Sequence, residues 1–308
     1  MRFEPAYIRL FESGELENRV NAGREMLREC KLCARECGVN RLEGEKGFCR
    51  SGSRLMVSSA SPHFGEEPPL VGRRGSGTIF LTNCNLACVF CQNYELSQLE
   101  NGQEVEIDEL ADAMLALQNM GCHNINFVTP THYIPQILDS LLIAVKGGLH
   151  IPLVHNCGGY ESMAALKLLD HVFDIYMPDF KYGDNDMGKK YSNAPDYFDV
   201  ASAAIAEMHR QVGDLVIDPN GIAWRGLLIR HLVLPDGLAG TAKVMKFISG
   251  LSKNSYVNIM DQYRPAHRAS SYPELTRRIS SKEFMDAISL AKEAGLSRGF
   301  SHDRRSRF

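Results

Sequence analysis

From residue 77 onward, short apolar runs alternate with stretches whose apolar residues recur at helical spacing. GTIFLTN (77–83), NINFVTP (124–130), IPLVHN (151–156), FDIYMPDF (173–180), GLLIRHLVLP (226–235) and SYVNIMDQY (255–263) predict six strands. Between them, 107–120, 133–147, 161–170, 197–212 and 241–251 predict helices, and a last helix covers about 281–294. LVIDPNGIAW (215–224) predicts a hairpin about Pro219-Asn220-Gly221. Strands that are almost continuously apolar, with helices between them, indicate a parallel sheet covered on both faces. Six such units predict an α/β fold, a partial, open (β/α)6 barrel of the TIM type, with its active site at the C-terminal strand ends.

The first third of the chain reads differently. Residues 15–35 have helical spacing and lead into CKLCARECGVNRLEGEKGFC, from Cys30 to Cys49. That segment is rich in charge and glycine and cannot bury enough apolar area to fold unaided, so a metal staple is expected. The expected organisation is an N-terminal helix and cysteine-rich metal-binding segment over 1–75, a barrel over 76–298 and a basic tail over 299–308. Arg298, Arg304, Arg305 and Arg307 make that tail either a solvated end or a docking arm.

The 308 residues are 44% hydrophobic and 23% charged with a formal net charge of −3, a globular balance with no mark of a nucleic-acid or membrane-surface binder. No apolar run approaches the roughly 18–20 residues of a membrane helix, and the acidic N-terminus has no signal-peptide core, so the expected location is cytoplasmic. Nine cysteines in a reducing compartment do not suit a disulfide framework, and seven of them fall in two clusters, which argues for metal. Cys122 reads as a core thiol, and Cys157 as packing at a strand end.

CNLACVFC places Cys84, Cys88 and Cys91 on the loop after the first strand, with Phe90 beside the last thiol. Three thiolates suit an iron–sulfur cluster, and three ligands on a four-iron cubane leave one iron open, as a catalytic site requires. The alternative is a structural zinc knuckle that borrows a fourth ligand. Cys30, Cys33, Cys37 and Cys49 can close either a tetrahedral zinc site or a second cubane, with the GEKG stretch supplying the turn before Cys49; the bland alternative is no metal at all. Arg230 interrupts the apolar run LLIRHLVLP, where a charge must be paired, by a bidentate carboxylate ligand or by an internal Asp or Glu. His231 faces the other side of that strand and reads as packed.

The pattern CxxxCxΦC after the first strand of a six-fold βα chain resembles the radical S-adenosylmethionine (SAM) superfamily. GSGTIFLTNCNLACVFCQNYELSQ, with SPHFGEEPPLVG, INFVTPTHY, DIYMPDFKY, EMHRQVG and IRHLVLP, resembles the branch around pyruvate formate-lyase activating enzyme, and most of all its PflX-type iron–sulfur proteins, over about residues 28–298. The resemblance implies a [4Fe-4S] cluster whose free iron binds the amino and carboxylate groups of SAM, and reductive cleavage of SAM to a 5′-deoxyadenosyl radical. It implies an electron donor such as flavodoxin or ferredoxin.

Strand-end residues take roles from the same resemblance. Thr129 and Thr131 stand where many relatives carry Gly-Gly-Glu for the SAM amino group; this chain departs from that pattern. Asn156 and Asp179 would face a monovalent cation, and Lys181 and Arg230 the SAM carboxylate. Residues 177, 179 and 181 share one face of an extended strand. Lys181 also reads as a solvated lysine, and Asp179 as a turn or capping residue. Gln262 or Tyr263 can reach the ribose or sit in the core or rim. Three functions follow as expectations: activation of a glycyl-radical enzyme, modification of a small molecule, sugar or peptide, or non-catalytic electron transfer.

Overall fold

Six strands lie parallel and side by side in a computed structural model that describes residues 3–300. The strands are β1 (Leu55–His63), β2 (Ser76–Leu81), β3 (Gln103–Val105), β4 (Ile125–Val128), β5 (Leu153–Cys157), β6 (Ile175–Pro178), β7 (Val216–Ile217), β8 (Ala223–Leu232) and β9 (Tyr256–Met260). The parallel path is β2-β4-β5-β6-β8-β9, so all six expected strands form and pair in chain order. β7 pairs antiparallel to β8 and makes the expected hairpin. β1 pairs antiparallel to the outer edge of β2, and β3 to β1. The sheet therefore extends into residues 55–63, inside the span read from the sequence as the N-terminal segment.

Helices Ile107–Asn119, Ile134–Lys146, Met163–Leu168, Tyr197–Val212, Thr241–Leu251 and Ser281–Glu293 match the periodic stretches. Ile107–Asn119 shows why: Glu106 and Glu109 cap its first turn reciprocally, and Leu110, Ala111, Met114 and Leu117 form its buried face. The helical spacing over 15–35 overreaches. The helix stops at Glu25, and the chain folds back so that Cys30 N donates to Val39 O at 3.0 Å and Gly38 N to Cys30 O at 3.0 Å. These turns serve the cysteines and end the helix.

Two apolar layers sandwich the strands. Tyr176, Cys157 and Leu153 belong to the large core between sheet and helices. Val154, Ile175, Met177 and Leu228 belong to a smaller cluster, joined by Leu70, Leu215 and Ala223. Alternation puts that cluster on the opposite face of the same strands, the concave side of the open barrel. No helix among the described residues is long and apolar enough to cross a membrane. Arg298 donates to Leu215 O and Asn254 O at 2.8 and 2.9 Å, so it belongs to the fold; Arg304, Arg305 and Arg307 lie outside the described residues.

Candidate active site

The concave face turns from apolar to polar where the strands end. Along β5, Val154 gives way to Asn156; past β6, Ile175 and Met177 give way to Asp179 and Lys181; along β8, Leu228 gives way to Arg230. Strand register brings these together, because Asn156 pairs with Met177 and Asp179 bridges Arg230. Arg230 Nε lies 2.7 Å from Asp179 Oδ1, and Arg230 Nη2 donates to Asn156 Oδ1 at 2.7 Å. Lys181 Nζ lies 2.6 Å from Asp179 Oδ2. Burial pushes the Asp179 carboxyl up, but Arg230 and Lys181 outweigh it and hold it below the usual range. Burial pulls Lys181 down, and the Asp179 charge and hydrogen bond, with Cys88 and Tyr197, together more than reverse that.

Arg230 thus finds its partner inside the protein. Asn156 and Asp179, expected to face a monovalent cation, also accept from protein groups: the Arg230 guanidinium at both, and the Lys181 ammonium at Asp179. Two carboxylates that sequence reasoning missed complete the surroundings. Glu66 lies 3.7 Å from Arg230 Nη1. Glu67 is buried, accepts from Asn258 Nδ2 at 2.7 Å, and is pushed up by that burial. Two acids inside SPHFGEEPPLVG, followed by apolar residues, are the signal for them. Asn126 was also missed. It is fully buried in register with Val154, hence on the concave face, and both atoms of its amide lack a protein partner.

The triad loop lies over these strand ends. Ala87 N donates to Ser192 O at 3.1 Å and Val89 N to Tyr191 O at 2.8 Å, so the loop is laced to the end of helix Asn185–Ser192. The Leu86 side chain packs directly on the Gly158 backbone: a Cβ there would stand 2.7 Å from Leu86 Cδ1. Each sulfur has a polar neighbour. Leu86 N donates to Cys84 Sγ at 3.3 Å, Cys88 Sγ is 2.9 Å from Ser192 Oγ, and Cys91 Sγ is 3.2 Å from Ser97 Oγ. Burial pushes the thiols of Cys84 and Cys88 up, and the Lys181 charge works against it at both. Buried thiols of this kind become thiolates when a metal replaces the lost water. Soft ligands with hydrogen-bonded sulfurs on one loop fit a cluster.

A pocket beside the loop is lined by Phe90, Asp179, Lys181, Leu232, Leu234 and Met260. Its lining combines two charged side chains with four apolar ones. Phe90 is held edge-on by Tyr182 and Tyr263. Tyr197 OH accepts from Lys181 N at 2.9 Å and lies 2.7 Å from Asp179 O, which fixes the strand end behind the pocket.

The other expected residues fall elsewhere. The Thr131 hydroxyl donates to the buried Glu161 carboxylate at 2.7 Å, away from the residues that line the pocket. Thr129 N donates to Asn156 O at 2.8 Å, and Thr129 has a φ of 61°, strained for a β-branched residue at a strand end. Gln262 is exposed, with Nε2 3.3 Å from Met260 Sδ at the pocket edge. Tyr263 is a core residue that donates to Leu275 O at 2.8 Å. His231 is buried between Phe180 O and Thr241 Oγ1, at 2.7 and 3.0 Å.

The chain belongs to the radical SAM superfamily, whose family model matches residues 78–218. It is 34% identical over 291 residues to the uncharacterized protein MJ0674 of Methanocaldococcus jannaschii, an alignment covering 91% of this chain and 79% of that protein. Solved structures with a similar course include the FeFe-hydrogenase maturase HydG from Carboxydothermus hydrogenoformans (15% identity, 71% of this chain, 50% of that one, TM-score 0.49). Methylornithine synthase PylB is another (14% identity, 95% of this chain, 83% of that one, TM-score 0.45).

Proposed function

We propose that this chain binds SAM between the Cys84–Cys88–Cys91 loop and the Asn156–Asp179–Lys181–Arg230 network, and cleaves it reductively to start hydrogen abstraction. The observation that carries this reading is the pocket itself, lined both by the charged Asp179 and Lys181 and by the apolar Phe90, Leu232, Leu234 and Met260. The first suits an amino acid, the second a nucleoside. A [4Fe-4S] cluster held by Cys84, Cys88 and Cys91 would supply the one electron that reductive cleavage of SAM to methionine and a 5′-deoxyadenosyl radical requires.

The protein's own groups do the rest. Lys181 offers an ammonium to the methionyl carboxylate, and Asp179 accepts from the methionyl amine. Arg230 and Asn156 keep Asp179 ionised and oriented. The apolar residues exclude water from the radical.

We further infer that the hydrogen donor is a backbone glycine of a partner enzyme. The support is the likeness of TNCNLACVFCQNY and IRHLVLP to the PflX-type members of the activating-enzyme branch. The test uses extracts of the source cells grown on α-deuterated glycine and mixed with reduced enzyme and SAM. Deuterium in the 5′-deoxyadenosine, with a glycyl-radical doublet in the electron paramagnetic resonance (EPR) spectrum, supports activation. Unlabelled 5′-deoxyadenosine formed with a low-molecular-mass fraction assigns the chemistry to a small molecule instead.

A further inference from the structure

His155 and Cys157 alternate with Asn156 along β5, so they lie on the face opposite the one on which Asn156 meets Arg230. Glu161 follows the turn at Gly158 and Gly159, where Gly159 has a φ of 77°. Among the described residues, His155, Cys157 and Glu161 are the one group of three possible metal ligands whose donor atoms all lie within 4.8 Å of one another. All three are buried, with 0%, 3% and 3% exposure. The imidazole stands edge-on to Phe173 and Tyr176, with ring centres 4.9 and 5.6 Å away, in the core between sheet and helices.

The protein's own contacts leave this group short of positive charge. Among the described residues, no lysine or arginine pairs with Glu161, and its one ion-pair contact is to His155 Nε2 at 3.5 Å. Hydrogen bonds of this kind close to about 2.7–3.2 Å. His155 Nδ1 is buried and has no hydrogen-bond partner. A buried carboxylate is tolerated when a cation or a metal balances it. The 3.5 Å separation of Nε2 and Oε2 suits two ligands on one ion, because ligands about 2.0–2.1 Å from a tetrahedral zinc stand about 3.4 Å apart. The carboxylate is also oriented for that task. Thr131 Oγ1 donates to Oε1 at 2.7 Å, which leaves Oε2 turned to His155. Metal-binding carboxylates are held by outer hydrogen bonds of this sort.

We propose that His155, Cys157 and Glu161 bind a divalent metal ion, and that zinc is the ion their nitrogen, sulfur and oxygen donors suit. The proposal goes beyond the radical chemistry and does not depend on it. The charges balance: Zn2+ meets one thiolate, one carboxylate and a neutral imidazole, and the Cys157 thiol releases its proton to solvent on binding. A water molecule completes the tetrahedron. The ion staples the end of β5, which presents Asn156 to Arg230, to the turn that carries Glu161. The cysteine-rich segment docks on the same turn: Cys33 forms a β-bridge with Glu161, and Ser162 Oγ donates to Lys31 O at 2.6 Å. Cys157, which reads from the sequence as packing, is a ligand in this arrangement.

The test adds zinc alone to the full chain after its iron–sulfur sites have been loaded anaerobically, and counts zinc and iron after dialysis. The native chain should retain about one zinc more than Cys157→Ala and than Glu161→Gln, with equal iron in all three. Zinc held by other cysteines cancels in that difference. Glu161→Gln keeps the shape of the side chain and removes its charge, so lost zinc with unchanged iron separates ligation from misfolding. Equal zinc in native and variant chains overturns the proposal. X-ray absorption at the zinc edge needs no variant. It should show nitrogen or oxygen neighbours at about 2.0–2.1 Å beside sulfur at about 2.3 Å, and a shell of sulfur alone overturns the proposal. Thr131→Val should weaken zinc retention against a chelator about 10–100-fold, an effect that a merely packed hydroxyl would not produce. Unchanged retention in that variant contradicts the role of Thr131 in orienting Glu161 for the ion.

Discussion

Arg230 Nε and Asp179 Oδ1 meet at 2.7 Å across neighbouring strand ends, and the contact sets the electrostatics of the pocket. Asp179 also takes Lys181 on its other oxygen. Removing the guanidinium leaves a carboxylate with one cation in a largely dry place. Arg230→Ala should destabilise by about 2 kcal/mol or more, less than the roughly 3–5 kcal/mol of a fully buried pair, because 17% and 19% of the two side chains stay exposed. Arg230→Ala/Asp179→Ala should recover part of that loss, with a coupling of about 0.5–3 kcal/mol by urea denaturation. Strict additivity would mean that the pair is not a unit.

Gly47 is needed for a reason the sequence did not show. A Cβ there would stand 2.4 Å from Cys37 Sγ. The left-handed turn in GEKG is made instead by Gly44, at φ 85°. Gly47→Ala should therefore empty the N-terminal metal site and spare the triad. Metal counts together with EPR check this; full occupancy in the variant contradicts the close approach.

Asp174 links the N-terminal helix to the barrel: Oδ1 accepts from Ala6 N at 2.9 Å and Oδ2 from Leu153 N at 3.3 Å. Burial pushes its carboxyl up to about 7 from an ordinary value near 3.8. The folded chain then holds a proton that the unfolded chain gives up. Stability from this group is complete below the ordinary value, falls as pH rises toward about 7, and is level above that. Asp174→Asn should flatten the stability profile between pH 5 and about 7 relative to the native chain. Parallel profiles would show that Asp174 titrates normally.

How legible the molecule was depended on burial. β4, β5 and β6 read correctly because parallel strands covered on both faces are apolar throughout. β1 was missed because MVSSASPH is largely polar: only Leu55 is fully buried, and β3 covers no more than Leu55–Val57, so the rest of that side stays open. Cys84, Cys88 and Cys91 were legible because one short loop carries them. Arg230 announced itself as a charge in an apolar run, but its partner did not, since the Asp179–Arg230 match depends on the offset between β6 and β8. Glu66 reaches Arg230 from a segment more than 160 residues earlier, a closeness no local pattern encodes. The Thr131–Glu161 contact was not legible, because Glu161 lies on another strand-end loop.

The most direct measurement is release of 5′-deoxyadenosine. The chain is reconstituted with iron and sulfide under anaerobic conditions, reduced with dithionite and given SAM, and the products are separated by chromatography. The account predicts 5′-deoxyadenosine and methionine from the native protein and none from Cys84→Ala/Cys88→Ala/Cys91→Ala. Asp179→Asn and Lys181→Gln should keep the cluster spectrum and bind SAM more weakly. A fully loaded, fully reduced cluster that neither binds nor cleaves SAM would contradict the account and leave the chain an electron carrier.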